Sequence, residues 1–398
     1  MLKHLLTTTT ALTLASGAVL ADGHGDRVKV GVLMGFTGPV ESLTPDMAAS
    51  ADLAFDEINA SSLFLGSRQI EAIRGDSTCT DAAAATAAAE RLIGEGVAAI
   101  LGAACSGATG SVVSNVAVPN GVLALSPSAT SPGLSDIDDR GLFFRTAPSD
   151  ARQGEVLADL TMARGIREVA LTYTNNDYGQ GLADAFSRAF EALGGTVSVS
   201  VAHEDGRGDY TAEVSTLAAS GASELLVIGY VDQGGRQIIQ TALDLGAFER
   251  FILPDGMIGD TLLADLGDQI EGSFGSLPGS DGDAAASFDA LAGEAGITGI
   301  GPFRGESYDA AALIALAMQS AGSAERDAIA EHMERVANAP GTRIGVGELA
   351  EGLRILSQGG DIDYVGVSDV EFDAEGNASG TFREVEIKGA AFETRRVW

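Results

Sequence analysis

The chain has 398 residues, 45% of them apolar and 20% charged, and carries a formal net charge of −32. That length and apolar content suffice for two lobes of ordinary domain size, each with its own core. So acidic a surface repels nucleic acid and anionic lipid, while leaving open an anionic ligand group held by backbone N–H donors.

The first residues, MLKHLLTTTTALTLASGAVLA, have a basic start at Lys3, an apolar body and small residues in a Val19-x-Ala21 arrangement. This predicts a signal peptide, residues 1–21, cleaved after Ala21, and hence an exported protein. The stretch is too short and too rich in threonine for a membrane span, and no cysteine follows the cleavage site to carry a lipid anchor. The mature protein is expected to be free and soluble.

Beyond it, apolar strand runs alternate with alanine-rich helical stretches: VKVGVLMGF, MAASADLAFDEINA, QIEAIRGDS, DAAAATAAAERLIGEG, VAAILGAA, GSVVSNVAV and GVLALSP. A second series runs from REVALTYTN through GLADAFSRAFEALGG, TVSVSVAHEDG, YTAEVSTLAASGAS, ELLVIGY and GGRQIIQTALDLG to RFILPDG. Strand and helix in strict alternation predict parallel βαβ units, and the repeated order predicts a duplicated architecture. The expected fold is α/β, with two doubly wound parallel-sheet lobes side by side. FFRTAPSD and GSFGSLPGSDGD are expected to carry the chain between lobes, followed by further helices and a strand-rich tail that periodicity does not place.

Cys79 and Cys105 are the only cysteines. In an oxidising compartment the pair reads as one disulfide; a catalytic thiolate would need a partner base, and no histidine lies near either cysteine in sequence.

Ligands of open α/β sheets bind beyond the carboxyl ends of the strands. There the first series carries Ser106 in ACSGATGSVV and the hydroxyl-rich SPSATSP, with no basic side chain between them. Hydroxyl and N–H donors without an arginine suit a carboxylate, although Ser106 can equally be an N-cap and SATSP a turn. The second series ends its strands in Tyr178, Tyr230 and Asp255, which suit an ammonium, although PDG is also a common turn. Facing each other, the two sets fit an α-amino acid.

The residues KVGVLMGFTGPVESL, CSGATG, SPSATSP, NNDYGQGLADAF, GYVDQGG, PDGM and IDYVGVSDVEFDAEGNASG, with the cysteine pair, resemble the bacterial leucine/isoleucine/valine-binding proteins. These are type I periplasmic solute-binding proteins of branched-chain amino acid ABC transporters, and the resemblance covers essentially the whole mature chain. It implies two lobes joined by a three-crossing hinge, with residues 22–146 and 277–381 in one and 147–276 and 382–398 in the other. It implies that the Ser106 and Thr130 hydroxyls and the Ala129 backbone bind the ligand carboxylate. The Ser128 carbonyl, Asp255 and Tyr230 would receive the ammonium, and Tyr178 would close over the ligand. Leu43 and Phe303 would line the side-chain pocket. Leu43 stands where leucine-binding members carry tyrosine, and Asp255 where they carry glutamate, so the resemblance implies the amino-acid class without fixing the side chain. The implied partners are permease subunits in the inner membrane; no cofactor, metal or obligate second chain is expected, and the protein is expected to be a monomer.

GVGELA at 345–350 imitates part of a dinucleotide fingerprint but lacks its strand and downstream acid. The histidines left after cleavage, His24, His203 and His332, have no metal-ligand spacing. Binding and delivery, with no enzymatic activity, is the expected function. Its rivals are a same-fold binder of another small carboxylate or amide, a sensory receptor component, and a periplasmic hydrolase using Ser106 or Asp255.

Overall fold

The computed structural model describes residues 27–398; the signal-peptide reading, the cleavage at Ala21 and His24 lie outside the described residues. The first sheet is built from β1 (Arg27–Met34), β2 (Gln69–Asp76), β3 (Ala99–Gly102), β4 (Leu123–Ser126) and β5 (Phe143–Arg145), all parallel, in the order β2-β1-β3-β4-β5. Central strands such as β3 and β4 are buried at every position, as helices on both faces require, which is why they read as unbroken apolar runs and not as alternation.

The second sheet begins with β6 (Glu168–Thr174), β7 (Thr196–His203), β8 (Glu224–Ile228), β9 (Arg250–Leu253) and β10 (Phe274–Pro278). Its parallel part runs β7-β6-β8-β9-β10, the same doubly wound order as the first sheet. A parallel pair, β11 (Thr342–Gly345) and β12 (Ile362–Gly366), stands apart. The tail supplies β13 (Phe382–Lys388), antiparallel to β10, and β14 (Ala391–Val397), antiparallel to β13, which extend the second sheet.

Helix starts follow local chemistry. Asp81 caps helix Ala82–Gly94 by accepting from the Ala83 and Ala84 N–H groups at 2.9 and 3.0 Å, and Asn176 caps helix Asp177–Ala192 through the Gly179 N–H at 3.0 Å. Helix Arg304–Ala321 is buried over most of its length, packed against helix Thr44–Ser61 and against β3 and β4. Its many alanines let those backbones approach closely.

The chain passes between the sheets after β5, after β10 and before β13. β10, buried throughout, occupies the middle of the segment expected to be connection. The segments just after β10 and just before β13 are tied where they run together, the Gly279 N–H donating to the Thr381 carbonyl at 3.0 Å and the Thr381 hydroxyl to the Gly279 carbonyl at 3.1 Å. After β5, the Thr146 hydroxyl donates to the Glu306 carbonyl at 2.9 Å.

Candidate ligand-binding site

Both sheets change winding direction beside their first strand, β1 in one and β6 in the other, and the carboxyl ends at these switch points face each other across a cavity of about 410 Å³, its mouth included. Leu43, Ser106, Ser128 and Thr130 reach it from the first sheet's loops, Tyr178, Tyr230 and Asp255 from the second's, and Phe303 from the start of helix Arg304–Ala321. Of the candidates named from sequence, Ala129 alone is not on the wall. It is wholly buried, its N–H donates to Ser126 Oγ at 3.0 Å, and its carbonyl accepts from Arg145 Nη1 at 3.2 Å.

Ser106 is not the N-cap of its helix. Cys105 holds that position, and Ser106 Oγ instead accepts the Ser131 N–H at 3.1 Å, joining the loop after β3 to the loop after β4. A hydroxyl that accepts in this way keeps its own proton to donate. Ser128 Oγ donates to the Ala104 carbonyl at 2.8 Å and Ser126 Oγ to the Ala103 carbonyl at 2.6 Å, so SPSATSP is pinned from below. Arg145, fully buried, clamps it from the side through the Ser131 carbonyl at 2.8 Å and the Ser135 hydroxyl at 2.9 Å. Burial pushes the guanidinium down to about 10, which leaves it charged at neutral pH.

On the opposite wall Asp255 follows β9 and is 2% exposed. Tyr178 Oη donates to Asp255 Oδ1 at 2.8 Å, and the Tyr178 ring stacks on Tyr230 with centroids 5.3 Å apart. Asn176 Nδ2 donates to Tyr230 Oη at 3.3 Å, which fixes the second ring. Burial raises the Asp255 carboxyl to about 6, against the lowering effect of the Tyr178 hydroxyl and the Gly256 N–H. Gly256 is needed for space: a Cβ there would stand 2.5 Å from the Gly229 carbonyl oxygen and 2.9 Å from Tyr178 Oη. The cavity thus has an uncharged donor end and an acidic, aromatic end.

Its remaining surface is apolar. Leu43 precedes helix Thr44–Ser61 and Met47, one turn on, lies beside it, with Val40 and Phe303 completing the lining. Phe303 holds φ +66°, a left-handed conformation unfavourable for a bulky residue, at the point where it enters the wall. Val40, Thr44, Met47, Ala104, Cys105 and Gly256 also line the cavity and were missed by sequence reasoning. The i, i+4 spacing from Leu43 could have found Met47; the others carry no signal of their own.

Cys79 and Cys105 form a disulfide with Cα atoms 5.2 Å apart, tying the loop after β2 to the start of the Ser106 helix. The lobes also touch at the cavity's lips: the Ser42 N–H donates to Asp232 Oδ2 at 2.8 Å, the Asp232 N–H to the Pro39 carbonyl at 3.2 Å and the Ile300 N–H to Asp260 Oδ2 at 3.1 Å. His203 bonds Thr172 and His332 bonds Ser320, and neither lines the cavity. Among the described residues no group of three or more His, Cys, Asp or Glu side chains is placed to hold a metal ion.

The sequence profile of the family described as "Periplasmic binding protein" matches residues 27–351. The leucine-, isoleucine-, valine-, threonine- and alanine-binding protein of Pseudomonas aeruginosa is 30% identical over 313 residues, 77% of this chain and 82% of that protein. A leucine-binding protein from Thermotoga maritima superposes with a TM-score of 0.78 at 22% identity, covering 93% of this chain and 98% of that one. A solute-binding protein from R. palustris, in complex with benzoate, superposes with a TM-score of 0.75 at 17% identity, covering 93% and 96%. The matched profile, the relative of Pseudomonas and the paired doubly wound sheets establish that the chain belongs to the periplasmic binding protein family, among its leucine/isoleucine/valine-binding members.

Proposed function

We propose that this protein captures a free amino acid with an aliphatic side chain between its two lobes and delivers it to the membrane subunits of an ABC transporter. The observation that carries the reading is the polarity of the cavity. Ser106 and Thr130 offer hydroxyls at one end, the Tyr178–Asp255 pair offers an acid at the other, and Leu43, Met47 and Phe303 supply apolar wall beside them. Uncharged donors hold a carboxylate by charge-assisted hydrogen bonds, and a buried carboxylate facing Tyr230 favours an ammonium. The names of the relatives support the same class, since the Pseudomonas protein is named for five aliphatic or small amino acids.

A carboxylate with no amino group, as in the benzoate-bound neighbour, would leave Asp255 buried and unpaired here. Hydrolysis by Ser106 lacks a base: its oxygen is engaged by the Ser131 N–H, and neither described histidine reaches it. We read the protein as exported, cleaved after Ala21 and monomeric. The test is a thermal-unfolding screen of the mature protein with the amino acids and their deaminated analogues. A ligand at 100 times its dissociation constant stabilises by about 2.7 kcal/mol. Shifts with L-leucine, L-valine or L-alanine but not with the matching carboxylic acids support the reading; shifts with the acids alone defeat it.

A further inference from the structure

One wall residue of the cavity is backed by two glycines. Leu43 lines the cavity and is buried, and Gly259 and Gly301 pack against its side chain without being on the wall themselves. A Cβ on Gly301 would stand 2.9 Å from Leu43 Cδ2, and a Cβ on Gly259 would stand 3.0 Å from the same carbon. Carbon atoms in good contact are about 3.5 to 4.0 Å apart, so neither position has room for a side chain while Leu43 keeps its place. Neither glycine has a left-handed backbone, Gly259 being extended at φ −175°, so what a methyl group lacks there is space and not an accessible conformation.

The two glycines come from different parts of the fold, and both are held. Gly259 stands between β9 and helix Asp260–Leu266, is buried, and has Val231 on its other side, 3.5 Å from the same Cβ position. Gly301 lies between helix Asp283–Glu294 and helix Arg304–Ala321. The Gly299 N–H donates to Asp46 Oδ2 at 2.9 Å, on the helix that Leu43 precedes. The Ile300 N–H donates to Asp260 Oδ2 at 3.1 Å, on the other side of the cavity's lips. Segment 299–301 is therefore pinned from both sides and cannot back away from Leu43. Of the groups in contact, the Leu43 side chain alone turns about free single bonds, and the cavity is the space in front of it.

We propose that Gly259 and Gly301 set the depth of the side-chain pocket: they let Leu43 lean back from the cavity, so that the site takes a branched side chain of the size of valine or leucine. A methyl group on either glycine would press Leu43 into the cavity and turn the site towards L-alanine. The inference rests on the amino-acid reading above and deepens it by naming what fixes the side chain. Leu43 touches the ligand, and the glycines act through it as positioning residues. Gly301 is bonded, through Gly299, to the helix that follows Leu43, so it backs Leu43 whether the lobes are open or closed. Gly259 belongs to the facing sheet and meets Leu43 when the lobes close. A side chain too long for the pocket would drive Leu43 against the Gly259 backbone and hold the lobes apart, so size is read at closure.

The test is calorimetric titration of the whole mature protein, and of its Gly301→Ala and Gly259→Ala variants, with L-leucine, L-valine and L-alanine. One methylene in an apolar pocket changes preference by about tenfold to two-hundredfold. Each variant is expected to lose affinity for L-leucine by about tenfold or more relative to L-alanine, with L-valine between them. The ratio is read within one variant, so a general loss of stability cancels from it. Adding Leu43→Val to Gly301→Ala removes the carbon that the new methyl group meets and is expected to restore the wild-type ratio; a merely structural effect of the lost glycine would survive the second change. A ratio unchanged in either folded variant, a second change that fails to restore it, or a wild type that prefers L-alanine to L-leucine overturns the proposal. Gly301 is only half-buried, so its variant carries the test where Gly259→Ala fails to fold. Failure of the amino-acid reading would look different: no amino acid would bind the wild type.

Discussion

Replacing Asp255 by asparagine keeps the shape of the acidic end and removes its charge. With ligand bound, the change leaves an ammonium facing an amide in a site 2% exposed to water. Breaking a buried ion pair from one side costs about 3 to 5 kcal/mol, a loss of roughly a hundredfold to several thousandfold in affinity. Without ligand the effect reverses. The Asp255 carboxyl stands at about 6, against an ordinary value of 3.8. A carboxyl raised on folding contributes stability that is fully present below its unfolded value and lost as pH rises through 6. At pH 7.5 the ionised group therefore costs the empty fold about 3 kcal/mol. Asparagine recovers that cost less about 1 kcal/mol for the weakened Tyr178 hydrogen bond, a net gain of about 2 kcal/mol. In a lobe-sized unit this raises the melting temperature by about 4 to 8 °C. Calorimetric titration with L-leucine and 4-methylpentanoate, together with thermal unfolding of the empty protein, reads both effects. Equal loss of affinity for both compounds, or a lower melting temperature in the empty variant, would refute the assignment of Asp255 to the ammonium.

Ser106→Ala removes both the acceptor for the Ser131 N–H and the donor at the carboxylate end; titration should show L-leucine and 4-methylpentanoate weakened together, by about tenfold. Breaking the Cys79–Cys105 disulfide, by a double serine substitution or by reduction, opens a cross-link of sequence separation 26 and should lower stability by about 3.5 kcal/mol in denaturant titration, the loop entropy that the cross-link removes from the unfolded chain. Asp232→Ala removes lip contacts with Ser42 and Thr261 that are largely exposed, so ligand affinity should fall only about twofold to fivefold, mainly through faster release in stopped-flow measurements. Burial also raises Asp309 to about 6 and Glu306 to about 7. By the same sign as Asp255, all three favour the folded state at lower pH, so the empty protein should melt higher at pH 5 than at pH 7.5. A melting temperature that rises over that interval would contradict the burial of these acids.

Local sequence determined the alternation of strands and helices, because a strand covered on both faces must be largely apolar, as β3, β4 and β8 are apart from Ser126 and Glu224 at their ends, and a helix against it must show a small or apolar face. It also determined which residue types end the strands, since loops after parallel strands lie at the switch points: Ser106, Ser128 and Thr130 on one side, Tyr178, Tyr230 and Asp255 on the other. Only the tertiary structure decided the rest. β14 is mostly exposed and forms a hairpin with β13, so no periodicity marks it as part of the second sheet; the hairpin's place comes from the hydrogen bonds of β13 to the distant β10. The resemblance implies a ligand contact for the Ala129 backbone, yet whether its N–H is free depends on the Ser126 hydroxyl three residues back. Asp150 stands in the first turn of its helix, a position that is usually exposed, and its complete burial comes only from what the tertiary structure packs around it. Periodicity reports which face of an element is buried, whereas the pairing of groups across a cavity depends on how far-separated segments are brought together, which no local pattern encodes.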